Sequence, residues 1–415
     1  MMPPRHSLRA WAVFALLAAT AAGAAACSDV SYYWQAVGGQ LEILHKRRPI
    51  EAVLADPAVP EATKARLRLA AHVQDFAVAS LALPADGGYR TYADLGREYV
   101  SWLVVAAPAL ELKEVTWCYP VVGCLGYRGY FSRADADAFA DKLRAGGDDV
   151  MVRPVRAYST LGWFDDPLLN TFVQQDRLEL MATLIHEHAH RRVWVKGDTE
   201  FNESFAVFVE REGLRRFLER GAGGAGAGAA GAGAGPDPLL ERYRTTQADR
   251  ERFQNLAQAG RRRLADLYAT PLGDAEKRVR KAVLLDEIRQ DYQKQRSSFR
   301  LLNYDDWFGP NLNNAYLAGI AQYHVRIDAF AALFDEEGGD FGRFYAACEA
   351  LGRLGHEERE AALDRLAAAA KEKRAAQLAA PRGKRSAVQS APRAKRSAEL
   401  LAPRQALGGR RPGRG

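Results

Sequence analysis

Residues 182–213 read ATLIHEHAHRRVWVKGDTEFNESFAVFVEREG and place three of the chain's eight histidines, His186, His188 and His190, within five residues. His186, Glu187 and His190 form H-E-x-x-H. On a helix, residues i and i+4 lie one above the other on a single face. Two imidazoles so placed can share one Zn²⁺, with Glu187 beside the open coordination position as a general base for water. The preceding DRLELMATLIHEHAH contains no Gly or Pro, and Leu178, Met181, Leu184 and Ile185 recur at helical spacing. The spacing therefore predicts a buried helix over 172–196 that stops at Gly197, and a second helix over 202–219. His188 points off the ligand face and is read as non-ligating.

The third ligand follows from what the next residues offer. A metzincin would place a glycine and a histidine where this chain has Val193 and Lys196, so that class is excluded. FNESFAVFVEREG instead offers Glu203 early in the second helix, across a turn that lets the two helices lie antiparallel. Asp198 and Glu200 are alternatives in the connecting segment, where capping the second helix is the ordinary role of such residues. Glu210, two turns beyond Glu203, is either a partner of a ligating histidine or a surface acid. Two histidines and one glutamate leave a coordination position for water, as catalytic zinc requires; structural zinc is usually closed by four ligands, mostly Cys.

Working outward, DVMVRPV (149–155) and AYSTLGWFDDP (157–167) read as strands, and SRADADAFADKLRAGG (132–147) as a helix with Ser132 as N-cap and Gly146 past its end. WCYPVVGCLGYRGYF (117–131) reads as short strands and turns, with Cys118 and Cys124 placed to pair in an oxidising compartment. Residues 60–82 form a helix opened by Pro60. The stretch after Cys27 forms a helix broken near Gly38-Gly39. Charged helical segments fill 239–297, split near Pro271-Leu272-Gly273, and a last helix covers 356–379. The fold class is α+β, mostly helical, with a small mixed sheet ahead of the H-E-x-x-H helix.

The ends carry different information. Arg5 and Arg9, then WAVFALLAATAAGAAA up to Cys27, form a basic and then apolar leader. Small residues directly before Cys27 predict cleavage after 26 and lipidation of Cys27, although Ala24 stands where such signals usually hold Leu; plain cleavage with an incidental Cys is the rival. No second long apolar run follows. Residues 221–235, GAGGAGAGAAGAGAG, read as a flexible surface insertion within a 27–380 domain. From Pro381 onward, ten basic side chains against Glu399 give a net +9, which leaves residues 1–380 at −2 of the chain's +7. This Pro/Arg/Ser segment repeats with a period of 11 residues and should be disordered. The folded part is nearly neutral, so no nucleic-acid partner is expected.

The combination of WCYPVVGCLGYRGYF, AYSTLGWFDDP, LIHEHAH (184–190), FNESFA (201–206) and LNNAYLAGIAQYH (312–324) resembles the bacterial "predicted aminopeptidase" group of exported, zincin-like lipoproteins, over about 27–350. That resemblance implies a zinc-dependent peptidase, specifically an aminopeptidase, acting on peptide substrates and tethered to the membrane through Cys27 on the periplasmic face of the envelope. In a zincin, AYSTLGWF would be the strand along which substrate lies, with Gly162 allowing close approach. Tyr316, Tyr323 and His324 are candidate oxyanion donors, of which Tyr323 is preferred. Asp165 or Asp166 is a candidate anchor for the substrate's amine. The competing reading is a non-catalytic envelope lipoprotein with a structural or vestigial zinc site and a basic tail that binds polyanions.

Overall fold

The computed structural model describes residues 31–85, 88–119, 123–157, 165–220, 238–324 and 326–379, without the side chains of 321–325 and 374–379. Cys27, the leader, the Gly/Ala tract, most of AYSTLGWF including Gly162, and the basic tail fall outside them. The first element, helix α1 (31–45), runs unbroken through Gly38-Gly39. Gly39 serves packing instead of a break: a Cβ on it would sit 2.2 Å from the ring of Phe131. Strand β1 (Arg47–Pro49) and the short α2 (Ile50–Ala55) lead to α3 (Glu61–Leu81), which opens after Pro60. Strand β2 (Thr91–Ala93) pairs antiparallel with β1 and parallel with β8 (Leu168–Leu169), forming a small mixed sheet ahead of the histidine helix.

A second sheet is wholly antiparallel. Its central strand β3 (Ser101–Ala107) lies between β6 (Arg128–Tyr130) and β7 (Asp149–Val155), and Leu103 faces both Gly129 and Arg153 in register. Side chains alternate across a strand. Val104, Ala106, Tyr130 and Val150 therefore pack on Ala136 and Ala140 of α4 (Arg133–Ala145). Ser101, Leu103, Arg153 and Val155 face the other way, into a cleft. Ser132 caps α4 by accepting from the Asp135 amide. The hairpin of β4 (Trp117–Tyr119) and β5 (Gly123–Leu125) stands beside this sheet, and the Cys118–Cys124 disulfide joins it across directly opposed positions.

The rest is helical. The single helix expected over 172–196 is two: α5 (Asn170–Val173) and α6 (Arg177–Arg192), separated because Asp176 accepts from the Leu178 amide and starts a new helix. Helix α7 (Thr199–Glu219) lies against α6. Its Phe201, Phe205 and Phe208 pack edge-on or stacked against Phe330, Phe344 and Phe334 of α11 (Ile327–Glu336) and α12 (Phe341–Gly352). Helix α13 (His356–Ala379) closes this core with Leu363 and Leu366. Helices α8 (Pro238–Ala269) and α9 (Asp274–Gln295) form a long pair whose own core includes Leu264, Ile288, Tyr292, Phe308 and Leu317, the last from α10 (Asn314–His324). No described helix is long and apolar enough to cross a membrane.

Candidate metal centre

The turn between α6 and α7 is constrained from three sides. Asn202 grips Val195 at both ends: its Oδ1 accepts from the Val195 amide at 2.8 Å and its Nδ2 donates to the Val195 carbonyl at 2.8 Å. Asp198 caps α7 by accepting from the Phe201 amide at 3.0 Å. Its second carboxylate oxygen receives Arg359 from α13 at 2.7 Å. Gly197 takes φ +77°, a left-handed conformation that favours glycine. Helix α7 thereby starts at Thr199, three residues earlier than the spacing predicts. Glu203 lies in its second turn, and Glu200 lies in its first turn instead of the loop.

This arrangement brings His186, His190 and Glu203 together. The Nε2 atoms of His186 and His190 each lie 3.6 Å from a different oxygen of Glu203. The ligand atoms of all three residues are within 4.8 Å of one another. A separation of 3.6 Å is too long for a good hydrogen bond. It is close to the ~3.4 Å edge of a tetrahedron with ~2.0–2.1 Å metal bonds. Two imidazoles and one carboxylate are also the donor chemistry of an open zinc site, so the residues fit such an ion. Glu210 holds the other nitrogen of His186, with Oε2 at 3.2 Å from Nδ1, and Arg250 of α8 approaches Glu210 at 3.5 Å. Among the described residues, His190 Nδ1 has no hydrogen-bond partner; its ring lies edge-on to Trp194.

The electrostatics follow from burial and the acids. Burial pushes the His190 imidazole down to about 4, which leaves it neutral with a free lone pair near pH 7. Burial acts the same way on His186, but the carboxylates of Glu203 and Glu210 outweigh it and hold that imidazole above its ordinary range. An ion and a proton would compete for this nitrogen. Burial raises the Glu203 carboxyl, yet His186, His190 and Arg153 together hold it down to about 2. Glu187 is pushed up to about 7, first by burial and then by the charges of Glu203, Asp166 and Glu210.

The three residues sit on the wall of a cleft of about 730 Å³, lined also by Glu187, Thr183 and Trp194 from the helix side and by Leu103 and Arg153 from the sheet. Tyr32 of α1, Tyr119 of the disulfide-closed hairpin and Tyr99 add an aromatic rim. A second cleft of about 380 Å³ meets the same helix face at His186 and Glu187, and Arg250 and Tyr304 line it.

The other candidates are placed differently. His188 is buried, with its ring edge-on to Tyr89. Asp198 is occupied by capping and Arg359, and Glu200 pairs with Arg326 at 3.3 Å. Asp198, His356 and Glu360 also come within ligand distance of one another. Tyr316 does not reach the cleft: it lines a separate hollow of about 460 Å³ with Val150 and Val152, on the α4 face of the sheet. Tyr323 and His324 end α10, and their side chains are outside the described residues. Asp165 is exposed, while Asp166 is 2 % exposed, its carbonyl accepting from the Tyr89 amide. Sequence reading missed Asn202, Arg250 and Arg153, whose roles depend on neighbours distant along the chain; for Asn202, the only signal was its place beside Glu203.

In comparison with known proteins, the model of a family described as "putative aminopeptidase" matches residues 31–363. No curated protein matches the chain, and no solved structure does.

Proposed function

We propose, for a chain that belongs to the "putative aminopeptidase" family, that it is a zinc-dependent peptidase of zincin type. The observation that carries this reading is the convergence of His186, His190 and Glu203 on the cleft wall, with Glu187 next to them. Zinc bound there would supply a Lewis acid that polarises a carbonyl and lowers the pKa of water. Glu187 takes the proton from the attacking water at its carboxylate and returns it to the departing amine nitrogen. Its position one residue after His186 keeps it off the ligand set, and its raised pKa suits a group that gains and loses a proton near neutrality. Glu210 fixes the tautomer and the ring orientation of His186 from behind. The cleft walls hold the peptide beside Glu187 and shield the site from bulk solvent, leaving the attacking water. Tyr323 as an oxyanion donor is part of the same proposal. Its support is the packing of α10 against α7.

Export and a lipid anchor at Cys27 belong to this reading. They rest on the leader sequence and on the Cys118–Cys124 disulfide, a bond typical of oxidising compartments. The test is metal analysis with peptide hydrolysis. One zinc per chain, and a loss of turnover on the order of 10²–10⁴-fold in Glu187→Gln with zinc retained, is the expected result. Undiminished turnover in that variant would remove Glu187 from the role of base. Zinc-loaded protein that cleaves nothing across a broad peptide library would favour the non-catalytic envelope reading.

A further inference from the structure

We propose that the outer face of α1 is a docking surface that lies on a lipid bilayer. The proposal draws on the Cys27 anchor of the reading above, and its test is separable from that anchor. Trp34, Val37 and Leu41 recur at helical spacing, with Tyr33 on the flank of the same stripe. They are 80 %, 53 %, 59 % and 45 % exposed, in that order. Among the described residues these are four of the seven large hydrophobic side chains that are exposed; the others are Val279 and Val283 of α9 and Leu301. Apolar side chains exposed singly are ordinary, whereas their concentration on one helix marks a contact surface. Gly38 lies within the stripe, and a Cβ there would meet nothing within 4 Å.

The inner face of the same helix is already committed. Ile43 is buried and Gly39 meets Phe131. Gln35 donates to the Gly129 carbonyl at 3.3 Å and accepts from the Phe131 amide at 2.9 Å. The helix therefore cannot turn its apolar stripe inward. Its one acid, Glu42, is held by Arg97 at 2.8 Å and by Lys46 at 3.0 Å. The helix runs into exposed Lys46, Arg47 and Arg48. Arg47 donates to the carbonyls of Leu44 and Asp165, neutral acceptors that leave its charge to a lipid phosphate. Trp and Tyr favour the membrane–water interface, and an apolar stripe with basic residues beside it suits a helix lying in that plane. Four peptide steps lead from Cys27 to Ser31, where α1 begins. Fully extended they reach about 14 Å, so an anchor at Cys27 would hold the stripe at the bilayer. A second copy is a poorer occupant, because four side chains are few against the roughly 20–30 residues that a stable interface takes from each side. Tyr32 and Ala36 of α1 line the cleft. Docking would thus set the cleft mouth about one helix diameter, ~10 Å, from the lipid surface.

The experiment puts a fluorophore on the full chain, purified from bacterial membranes, through Gly38→Cys, with Val283→Cys on α9 as the control site. Cys348 is buried and Cys118 and Cys124 are paired, and the parent chain gives the background from Cys27. Vesicles of phosphatidylethanolamine and phosphatidylglycerol carry nitroxide quenchers on their acyl chains. Emission from position 38 should be quenched by these lipids and become shielded from aqueous iodide. Position 283 should show neither change. Trp34→Ser combined with Leu41→Ser should abolish the quenching at 38, with thermal unfolding as in the parent because both side chains are exposed. A probe at 38 that stays unquenched overturns the proposal, whether or not the chain floats with the vesicles. Quenching that survives the two serines overturns it as well. Shielding of position 38 from iodide before vesicles are added would give the face to a second copy or to another segment of this chain, and that also overturns it. The intact mass of the same samples reports acylation of Cys27 independently. An unmodified Cys27 would break the anchor reading, and the probe would still decide the role of α1.

Discussion

The helix pairs α6–α7 and α8–α9 both bury acids, but in opposite ways. On α8, Asp249 is fully buried and its carboxylate accepts from the backbone amides of Arg300, Leu301 and Leu302 at 2.7–3.1 Å, with Arg252 at 3.0 Å. On α7, Glu203 faces two imidazole nitrogens at 3.6 Å and Glu210 faces a third at 3.2 Å. An acid satisfied by fixed backbone amides is a structural fastener with no capacity left over. An acid held just beyond hydrogen-bond distance of two imidazole nitrogens leaves room for the ion proposed above. Burial alone does not mark a functional site; the identity of the partners does.

The strongest challenge to this contrast is Asp249→Asn. Removing the charge while keeping the shape should cost about 3 kcal/mol of folding stability, because buried amides would lose a charged acceptor. Metal content of the folded fraction should not change. Chemical denaturation with metal analysis checks both, and loss of zinc at full stability would contradict the structural assignment. The pH dependence has a definite sign. Burial pushes the Asp249 carboxyl up, but the amides of Leu301, Leu302 and Arg300 outweigh it and hold it below the usual range. Its contribution is therefore complete above the unfolded value of about 4 and is lost as pH falls through the lower folded value. Wild type should lose stability over that acid range more steeply than Asp249→Asn.

Glu210→Gln sharpens the other side. The neutral amide still reaches His186 Nδ1 but no longer strengthens the imidazole as a donor. Zinc affinity should weaken by about 10–100-fold with the melting temperature of the metal-free protein nearly unchanged. Competition with a calibrated chelator measures it. An unaltered affinity would make Glu210 a partner of Arg250 alone.

The parts of the site that were legible in sequence are those whose geometry is local. His186 and His190 share a face because four residues make about one helical turn, and Glu203 follows because a short turn returns the chain alongside. The reading failed where distant contacts decide. Gly38-Gly39 looks like a break, yet Gly39 is where Phe131 presses on a continuous helix. Tyr316 sits in a motif-rich stretch, yet the sheet stands between it and the cleft. The cleft wall draws Tyr32, Tyr119 and Arg153 from three separate elements and Trp194 from the turn after α6, and no periodicity in the chain links them. Asn202 lies beside Glu203, but its grip on Val195 becomes visible only when the turn is folded.

Gly213 tests how tightly packing and chemistry are joined in α6–α7. A Cβ there would lie 2.6 Å from Leu81 Cδ1 and 3.2 Å from Ile185 Cγ2, so α3, α6 and α7 meet with no room for a methyl group. Gly213→Ala gains helix propensity but forces one of these side chains to move, and the net cost should be about 1–3 kcal/mol. Ile185 directly precedes His186, so displacement of α6 also shifts a proposed ligand. Zinc affinity should fall together with stability. The matching change on α8, Gly260→Ala, meets Ile288 Cδ1 at 2.8 Å in the other core. It should lower stability by a similar amount and leave zinc affinity as it was. Parallel denaturation and chelator titrations on the two variants decide the matter: if both lose zinc equally, the two helix pairs are one cooperative unit and the contrast between them fails.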